Sequence, residues 1–492
     1  MLLANILKET IGGKTKMEFE VVVGLETHIE LNTKTKVFCG CVNEFGGEPN
    51  SHCCPVCIGL PGALPRVNNE AIKKAITMGL ITNCDITRKF AFDRKHYFYP
   101  DLSKSYQITQ DRTPICKNGY IEVNDKNGEL KKIRIHQIHL EEDAGKLIHS
   151  NLTGETYVDY NRGGVPLIEI VSEPDMRSVE EAIEYVETLK DLAKFAGVSD
   201  VKMEQGSLRC DVNVSLRPVG QTEFGTKVEM KNINSFKAIE RAIRYEVNRQ
   251  TKMLEAGEQI LPETRRWDDE KNQNFALRSK EGAKDYRYMP EPDIPVTLIT
   301  DEMMEEIKKN VPPLPKEIKA KLVNEFGLND YDAGLIAKNT EIYKFFFEVA
   351  KHYDKPKKIA NWITSEINKK INSELMEEVA VPVNPIEFAK MLVMVDNNEI
   401  SQAGSREILI DLWGSDKTTD QIVSEKGLKL ESNDEELEAL IVDIVNNNEK
   451  CVQDYKNGNK KAFVFFVGQV MKATKGQANA SKVNEFLNKH LS

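Results

Sequence analysis

Titratable side chains alternate along one segment near the start of the sequence, VVVGLETHIELN at residues 21–32. The alternation places Glu26, His28 and Glu30 on one face and mostly apolar residues on the other, which is the period of a β-strand. Carboxylate oxygens and an imidazole can hold a divalent cation. Because a strand with one solvent-exposed face shows the same alternation, this segment alone leaves both interpretations open.

Later segments repeat this design of an apolar face and a densely polar face. They are SLRCDVNVSLR (207–217) and TKVEMKN (226–232), and a third segment, IRIHQIHLEEDAGK (133–146), has three consecutive acids near its end. Their polar residues are Arg209, Asp211, Asn213, Lys227, Glu229, Lys231, Glu141, Glu142 and Asp143. In one cradle, the acids would suit Mg²⁺ or Mn²⁺, and the bases would suit an anionic substrate such as a nucleotide phosphate. This combination predicts metal-assisted phosphoryl transfer, with a solvated sheet face as the alternative.

Cysteine is concentrated in one short stretch, where five of the nine cysteines lie between positions 39 and 57. Two close pairs, Cys39-Gly-Cys41 and Cys54-Pro-Val-Cys57, can surround a tetrahedral Zn²⁺ with four thiolates. We favour a structural zinc knuckle, and a redox-active Cys54–Cys57 pair is the alternative. Cys53 is a spare thiol in this scheme.

The bulk composition excludes several classes of protein. A length of 492 residues calls for several domains, and the net charge of −10 argues against indiscriminate nucleic-acid binding without excluding a local basic surface. No apolar run approaches the roughly 20 residues of a membrane span. The first sixteen residues lack the basic region and the cleavage site of a signal peptide. These features predict a cytoplasmic protein with an N-terminal extension over residues 1–16.

The pattern of the chain changes along its length. Residues 17–295 combine alternating strands with two helices, predicted over 178–197 and 235–257, which indicates a mostly antiparallel α+β domain. Prolines crowd residues 290–315, and helical spacing dominates beyond them. We therefore predict an all-helical domain over 296–415 and a small helical tail over 416–492.

The end of the tail is basic, unlike the rest of the chain. Between Lys456 and Ser492 there are seven lysines and one acid, Glu485. This charge predicts a surface that contacts RNA phosphates, with Lys472 and Lys475 as candidate contacts, and a solvated helix pair is the alternative.

Long motifs throughout the chain resemble one protein family. They include GLETHIEL, CPVCIGLPGALPRVN, HLEEDAGK, NRGGVPLIEIVSEPD, GTKVEMKNINSF, DYRYMPEPD and VGQVMKATKGQAN, in this order from about Glu18 to the C-terminus. They resemble the B subunits of the bacterial aspartyl/glutamyl-tRNA amidotransferases.

The resemblance implies a fold and a reaction. It implies a cradle domain, a helical domain and a tRNA-binding tail, in a heterotrimer with two partners, the amidase A subunit together with the small C subunit. The protein would use ATP and Mg²⁺ to phosphorylate the side-chain carboxyl of glutamate or aspartate mischarged on tRNA. Ammonia released from glutamine by the amidase would then displace the phosphate and give Gln-tRNA or Asn-tRNA.

The resemblance also assigns roles to single residues. It implies Mg²⁺ ligands at Glu26, His28 and Glu142, with Asp211 and Glu229 as further metal or nucleotide ligands. It implies Lys95 and Lys104 along an ammonia path, and Zn²⁺ at Cys39, Cys41, Cys54 and Cys57. Glu30 and Cys53 receive no role. A zinc-stabilised RNA-binding scaffold without catalysis, or a metal-dependent phosphoesterase that acts without tRNA, would be the competing functions.

Overall fold

The computed structural model of the chain describes residues 18–125, 127–150, 152–279, 286–373, 380–430, 434–456, 460–474, 478 and 480–491. The chain forms two compact units, Met1–Pro312 and Pro313–Ser492. The predicted N-terminal extension, residues 1–16, lies outside the described residues. The three-part division expected from the sequence stays a prediction.

The first unit contains the strands and four helices. The strands are β1 (Phe19–Glu30), β2 (Asp85–Ile86), β3 (Lys89–Phe90), β4 (Asp93–His96), β5 (Tyr106–Thr109), β6 (Cys116–Asn124), β7 (Leu130–Glu142), β8 (Lys146–His149), β9 (Thr156–Asp159), β10 (Pro166–Ser172), β11 (Leu208–Pro218), β12 (Val228–Lys231), β13 (Glu263–Asp268), β14 (Gln273–Ser279), β15 (Met289–Pro290) and β16 (Thr297–Leu298). The helices are α1 (Asn69–Ile81), α2 (Val179–Phe195), α3 (Phe236–Glu255) and α4 (Asp301–Asn310), with a 3₁₀ turn at Met203–Gln205.

Nine strands form one sheet in the order β14-β13-β12-β11-β1-β10-β7-β6-β2. Only β12 and β13 pair in parallel among these described strands, so the sheet is mostly antiparallel. This confirms the predicted α+β class. The order also places β1 in the middle of the sheet, where its side chains meet those of β10 and β11.

The two predicted helices form because each has a cap and an apolar stripe. The Ser178 side chain accepts a hydrogen bond from the Glu181 N–H at the start of α2, and Ser235 caps α3 in the same way. Both helices pack against strands of the sheet. On β1, the alternate residues Val23, Leu25 and Ile29 are buried, whereas the acidic and imidazole side chains between them are less so. One face of the sheet is therefore core and the other is polar.

Helix α1 lies unusually close to β6 at Gly79. A Cβ atom at this position would lie 2.4 Å from Cys116 Sγ and 2.9 Å from Ile86 Cδ1. We expect Gly79→Ala to lower the stability of the first unit by about 2 kcal/mol, because overpacking forces the helix off the sheet. Gly334→Ala in the second unit is the control, since the only atom within 4 Å of its Cβ is Lys319 Cε at 3.8 Å. Thermal unfolding measures both, and an unchanged melting temperature for Gly79→Ala would contradict the close packing.

Helices are the regular secondary structure of the second unit in its described residues, apart from an isolated bridge between Ile400 and Lys429. Its α-helices are α5 (Pro315–Asn324), α6 (Asp330–Ala337), α7 (Thr340–Ala350), α8 (Pro356–Trp362), α9 (Asn368–Ser373), α10 (Pro385–Asp396), α11 (Gln402–Leu412), α12 (Thr419–Lys426), α13 (Asp434–Asn446), α14 (Glu449–Lys456), α15 (Lys460–Ala473) and α16 (Ala480–Leu491), with a π-helical turn at Ile363–Ile367. The last helices share a core that includes Ile441, Phe466 and Leu487. None of the helices in the described part of the chain has the length and hydropathy that a membrane crossing requires.

Candidate functional site on the polar face of the sheet

The register of β1 with its two neighbours brings polar side chains together. Glu26 lies opposite Asp211 of β11, and His28 lies between Arg209 of β11 and Glu169 of β10. Directly opposite residues of antiparallel strands project from the same face and contact each other. The polar face of β1 therefore extends onto the neighbouring strands β10 and β11.

A first cluster consists of His28, Glu141 and Glu169, whose ligand atoms all lie within 4.8 Å of one another. His28 Nε2 is 3.3 Å from Glu169 Oε2, and His139 Nε2 lies 3.2 Å from the same oxygen. Burial disfavours the charge of Glu169, but His139 and His28 hold the pKa of this carboxyl well below its usual range. Burial also disfavours the charge of His139, yet Glu169 and Glu141 raise its pKa to about 10. The two carboxylates are therefore ionised at neutral pH.

A second cluster consists of Glu26, Asp211 and Glu229, whose carboxylate oxygens also lie within 4.8 Å of one another. Lys231 Nζ lies 2.9 Å from Glu229 Oε1 and also pairs with Asp211. Burial, followed by the charge of Glu169, raises the pKa of Glu26. Because the Glu169 charge acts on Glu26, the two clusters are electrostatic neighbours.

The donor sets of both clusters fit hard divalent cations. One offers two carboxylates and an imidazole and the other three carboxylates, which are the oxygen-rich sets that Mg²⁺ and Mn²⁺ prefer. Strand β1 supplies one ligand to each cluster, since Glu26 and His28 are two residues apart on the same face. The sheet therefore presents two candidate cation sites side by side.

Glu142, to which the resemblance assigns Mg²⁺, lies in different surroundings from Glu26 and His28. Among the described residues, neither carboxylate cluster includes Glu142. Its side chain pairs with Lys104 Nζ at 2.5 Å and accepts a hydrogen bond from the Ile108 N–H at 2.9 Å. Because side chains alternate along β7, Glu141 faces His28 and Glu142 faces away. The structure thus pairs Glu142 with Lys104, and its assignment as a Mg²⁺ ligand stays a prediction.

Glu30, for which the sequence suggested no role, lies beside Asp143. Burial and the charge of Asp143 raise the pKa of Glu30 to about 8, so at neutral pH this carboxyl holds a proton. Asp143 itself is ionised, since Arg209 Nη2 lies 2.7 Å and Arg162 Nε 3.5 Å from its Oδ2. Glu30 therefore belongs to a carboxyl pair at the edge of the polar face.

The four paired cysteines converge as the sequence predicted. Their Sγ atoms all lie within 4.8 Å of one another, with Cys57 Sγ 4.0 Å from Cys41 Sγ and 3.9 Å from Cys54 Sγ. Four thiolates around Zn²⁺ have S–S separations of about 3.8 Å, so the set is compatible with structural zinc. A hydrogen bond from the Cys39 thiol, the Cys54 N–H and the charge of Lys36 lower the pKa of Cys57 to about 4. Such a thiol is ready to bind metal.

Comparison with known proteins identifies the family. Residues 21–305 match the family model described as the GatB/GatE catalytic domain, and residues 344–491 match the one described as the GatB domain. The aspartyl/glutamyl-tRNA(Asn/Gln) amidotransferase B subunit of Thermoanaerobacter sp. (strain X514) is 50% identical over 476 residues, which cover 97% of this chain and 100% of that protein. The chain belongs to the family of amidotransferase B subunits.

Other amidotransferase B subunits are similar along the whole chain as well. The one from Caldicellulosiruptor saccharolyticus is 48% identical over 478 residues, 96% of this chain and 99% of its own length. The one from Clostridium botulinum (strain 657) is 48% identical over 471 residues, 96% of this chain and 98% of its own length. The resemblance inferred from the motifs is confirmed.

The two lysines singled out in the sequence of this B subunit lie in different surroundings. Burial disfavours the charge of Lys95, but the charge of Glu141, a member of the first cluster, raises its pKa. The Lys95 ammonium also lies 5.0 Å from the centre of the Tyr286 ring. Lys104 instead pairs with Glu142. The charge of Lys95 is therefore coupled to the first cluster, and Lys104 pairs with the buried Glu142.

The predicted tRNA contacts in the tail are only partly described. Lys472 is exposed on α15, and Lys475 lies outside the described residues. Lys482 pairs with Asp434, and Lys489 lies 2.7 Å from Glu438 Oε1. Two of the tail lysines therefore bind α13, and Lys472 presents its charge to solvent.

Sequence reasoning missed Glu169 as a candidate ligand, and it listed Glu141 among the polar residues without placing it beside His28. Glu169 is the one acid in the apolar strand β10, PLIEIVS, and a single carboxylate in a buried strand is a signal that a polar partner faces it. Glu141 shares its face with His139 in HLEED, which alternation could have indicated. Both assignments depended on knowing which strands are neighbours.

Proposed function

We propose that this protein activates the side-chain carboxylate of glutamate or aspartate carried by tRNA, and converts it to the amide. ATP would supply the phosphoryl group, and a partner amidase would supply ammonia from glutamine. The observation that carries this proposal is the pair of carboxylate clusters joined by β1. The names of the relatives, aspartyl/glutamyl-tRNA(Asn/Gln) amidotransferase B subunits, indicate the same substrate class.

The chemistry explains why phosphorylation must precede amidation. A carboxylate would have to expel oxide to accept ammonia, whereas an acyl phosphate releases phosphate. The substrate carboxylate oxygen bonds to the γ-phosphorus while the bond from that phosphorus to ADP breaks. The ammonia nitrogen then bonds to the carbonyl carbon, the bond to phosphate breaks, and the nitrogen loses a proton.

The residues of the two clusters suit the first step. Mg²⁺ held by His28, Glu141 and Glu169, or by Glu26, Asp211 and Glu229, would neutralise phosphate charge. The Lys95 ammonium, on which the charge of Glu141 acts, can bind a phosphate oxygen. Lys231, beside the second cluster, can do the same. The protein thus positions charges and needs no nucleophile of its own.

A cavity next to the second cluster is suited to binding a nucleotide. Its volume is about 220 Å³, and it is lined by Glu26, Gly24, Pro174, Val214 and Phe224 among others. Apolar walls suit a base, and the adjoining carboxylates suit phosphates bound through metal. We therefore assign the nucleoside to this cavity and the phosphates to the clusters.

The pair formed by Lys104 and Glu142 fits a path for ammonia. It borders a second cavity of about 270 Å³ that Arg94, Tyr106 and Cys57 also line. A cavity lined by these charged and polar side chains can hold a small polar molecule such as ammonia. The partners in this scheme are the amidase A subunit, the small C subunit of a heterotrimer, and mischarged tRNA.

The tail fits a tRNA-binding role, because Lys472 is exposed and the last helices have their own core. We expect removal of the residues beyond Leu430 to raise the KM for tRNA by about tenfold through the loss of phosphate contacts. Amidation kinetics as a function of tRNA concentration measures this, with glutaminase activity of the partner as the control. An unchanged KM would contradict the assignment.

Amidation by the reconstituted heterotrimer tests the proposal. Purified Glu-tRNA(Gln) and Asp-tRNA(Asn) are incubated with ATP, Mg²⁺ and glutamine, and the aminoacyl products and ADP are quantified. We expect amide formation on one or both tRNAs, and ADP formation that requires the mischarged tRNA. ADP formation without tRNA would favour a phosphoesterase, and tRNA binding without any product would favour an RNA-binding scaffold.

A further inference from the structure

The cysteine knuckle, residues 39–57, and the loop that follows it pack directly on Lys104. The Ser103 hydroxyl donates a hydrogen bond to the Cys57 carbonyl at 2.9 Å. Gly59 has a φ of +70°, and a Cβ atom there would lie 2.8 Å from Lys104 Cγ and 3.3 Å from Lys104 Cα. The backbone of residue 59 therefore touches both the main chain and the side chain of Lys104.

The segment around Lys104 depends on its neighbours for its conformation. Ser105 has a φ of +62°, in the left-handed region that residues with a Cβ rarely adopt. Such a conformation persists only where the surroundings hold it. The contacts with Cys57 and Gly59 are part of those surroundings. They hold Ser103 and the base of the Lys104 side chain, whereas the end of that side chain pairs with Glu142.

The knuckle in turn has little regular structure to hold it. No helix or strand lies between the end of β1 and the start of α1, a stretch described in full, which contains only an isolated bridge between Thr35 and Val42. The four convergent cysteines lie in this stretch. Lys36, in the same stretch, is fully buried, and its Nζ lies 3.2 Å from the Tyr160 carbonyl. Metal binding is therefore the interaction best able to order the knuckle.

We propose that the cysteine knuckle is a positioning element for Lys104. Metal held by Cys39, Cys41, Cys54 and Cys57 fixes the Cys57 carbonyl and Gly59 against the Lys104 segment, and so sets the ion pair with Glu142. Loss of the metal loosens that pair. The consequence for amidation rests on the proposed function, whereas the consequence for Lys104 itself does not.

Two glycines of one loop provide the matched test. Gly59 and Gly62 both have a positive φ, +70° and +84°, so alanine at either position carries a backbone cost of the same kind. Only at position 59 does the added methyl group meet Lys104, since nothing lies within 4 Å of a Cβ at Gly62. Gly59→Ala therefore displaces Lys104, and Gly62→Ala leaves it in place.

The readout is the rate at which an amine-directed reagent modifies Lys104 in the assembled heterotrimer, measured by peptide mass spectrometry. The exposed Lys89 is the internal reference. We expect Gly59→Ala to keep its zinc and to increase Lys104 modification about fivefold, with Gly62→Ala within about twofold of wild type. Glutamine-dependent amidation should fall about fivefold in Gly59→Ala, while tRNA-dependent ADP formation stays within about twofold.

Metal removal completes the experiment. Stripping zinc with a chelator should increase Lys104 modification, and adding Zn²⁺ back should reverse the increase. Ser103→Ala, which removes only the hydrogen bond to Cys57, should give a smaller increase of about twofold. If Lys104 modification is unchanged in both the stripped heterotrimer and Gly59→Ala, the positioning role is wrong. A wild-type heterotrimer without amidation would refute the proposed function instead, because the modification rates still report on Lys104.

Discussion

Glu169→Gln is expected to lower tRNA-dependent ADP formation at least about a hundredfold. The Glu169 carboxylate lies within 3.3 Å of both His28 and His139 and belongs to the first cluster. The amide keeps the shape of the side chain but removes the negative charge that a cation requires. It also leaves the buried His139 with one carboxylate partner fewer, which weakens the charge interactions that hold the cluster together.

Glu173→Gln is the matched control for this prediction. Glu173 follows β10 directly and accepts a hydrogen bond from His136 Nδ1 at 2.9 Å, so the same substitution again removes a contact between a glutamate and a histidine. Glu173 belongs to neither carboxylate cluster of the described residues, and we expect ADP formation within about twofold of wild type. Mn²⁺ binding measured by titration should weaken only in Glu169→Gln. Full ADP formation with unchanged Mn²⁺ affinity in that variant would exclude the first cluster as a metal site.

Local patterns predicted the parts of the site that depend on one strand at a time. Because side chains of a strand alternate, the sequence alone indicated the polar faces of β1, β11 and β12, and with them Glu26, Asp211 and Glu229. The structure brings these three carboxylates together. The α+β class followed from the same alternation, since continuous apolar runs would have indicated a parallel sheet.

Pairing between distant strands decided the rest of the site. The contact of His28 with Glu169 requires β1 to pair with β10 in one register, and β10 must pair with β7 to bring Glu169 beside His139. A shift of one residue in either pairing would reverse the faces. The paired residues of β1 and β10 are more than a hundred positions apart in the sequence. A local sequence pattern therefore cannot predict which strands pair.

We expect the two adjacent acids at the end of β7 to act in different steps of the proposed reaction. Glu141 belongs to the first cluster and is deeply buried, and Glu142 pairs with Lys104 on the other side of the strand. We expect Glu141→Gln to lower tRNA-dependent ADP formation at least about a hundredfold, as expected for a lost ligand. Partner glutaminase activity, measured as glutamate release, shows whether the heterotrimer still assembles.

Glu142→Gln is expected to act on the other step. The neutral amide leaves the ammonium of Lys104, whose side chain is only 12% exposed, without its carboxylate. Ammonia delivery should then fail, so glutamine-dependent amidation falls about tenfold while ADP formation stays within about threefold of wild type. ADP and amide are measured in the same reaction, and their ratio rises if the two acids have separate roles. If Glu142→Gln abolishes ADP formation as fully as Glu141→Gln, then Glu142 acts with the metal cluster, and alternation along β7 does not divide the reaction.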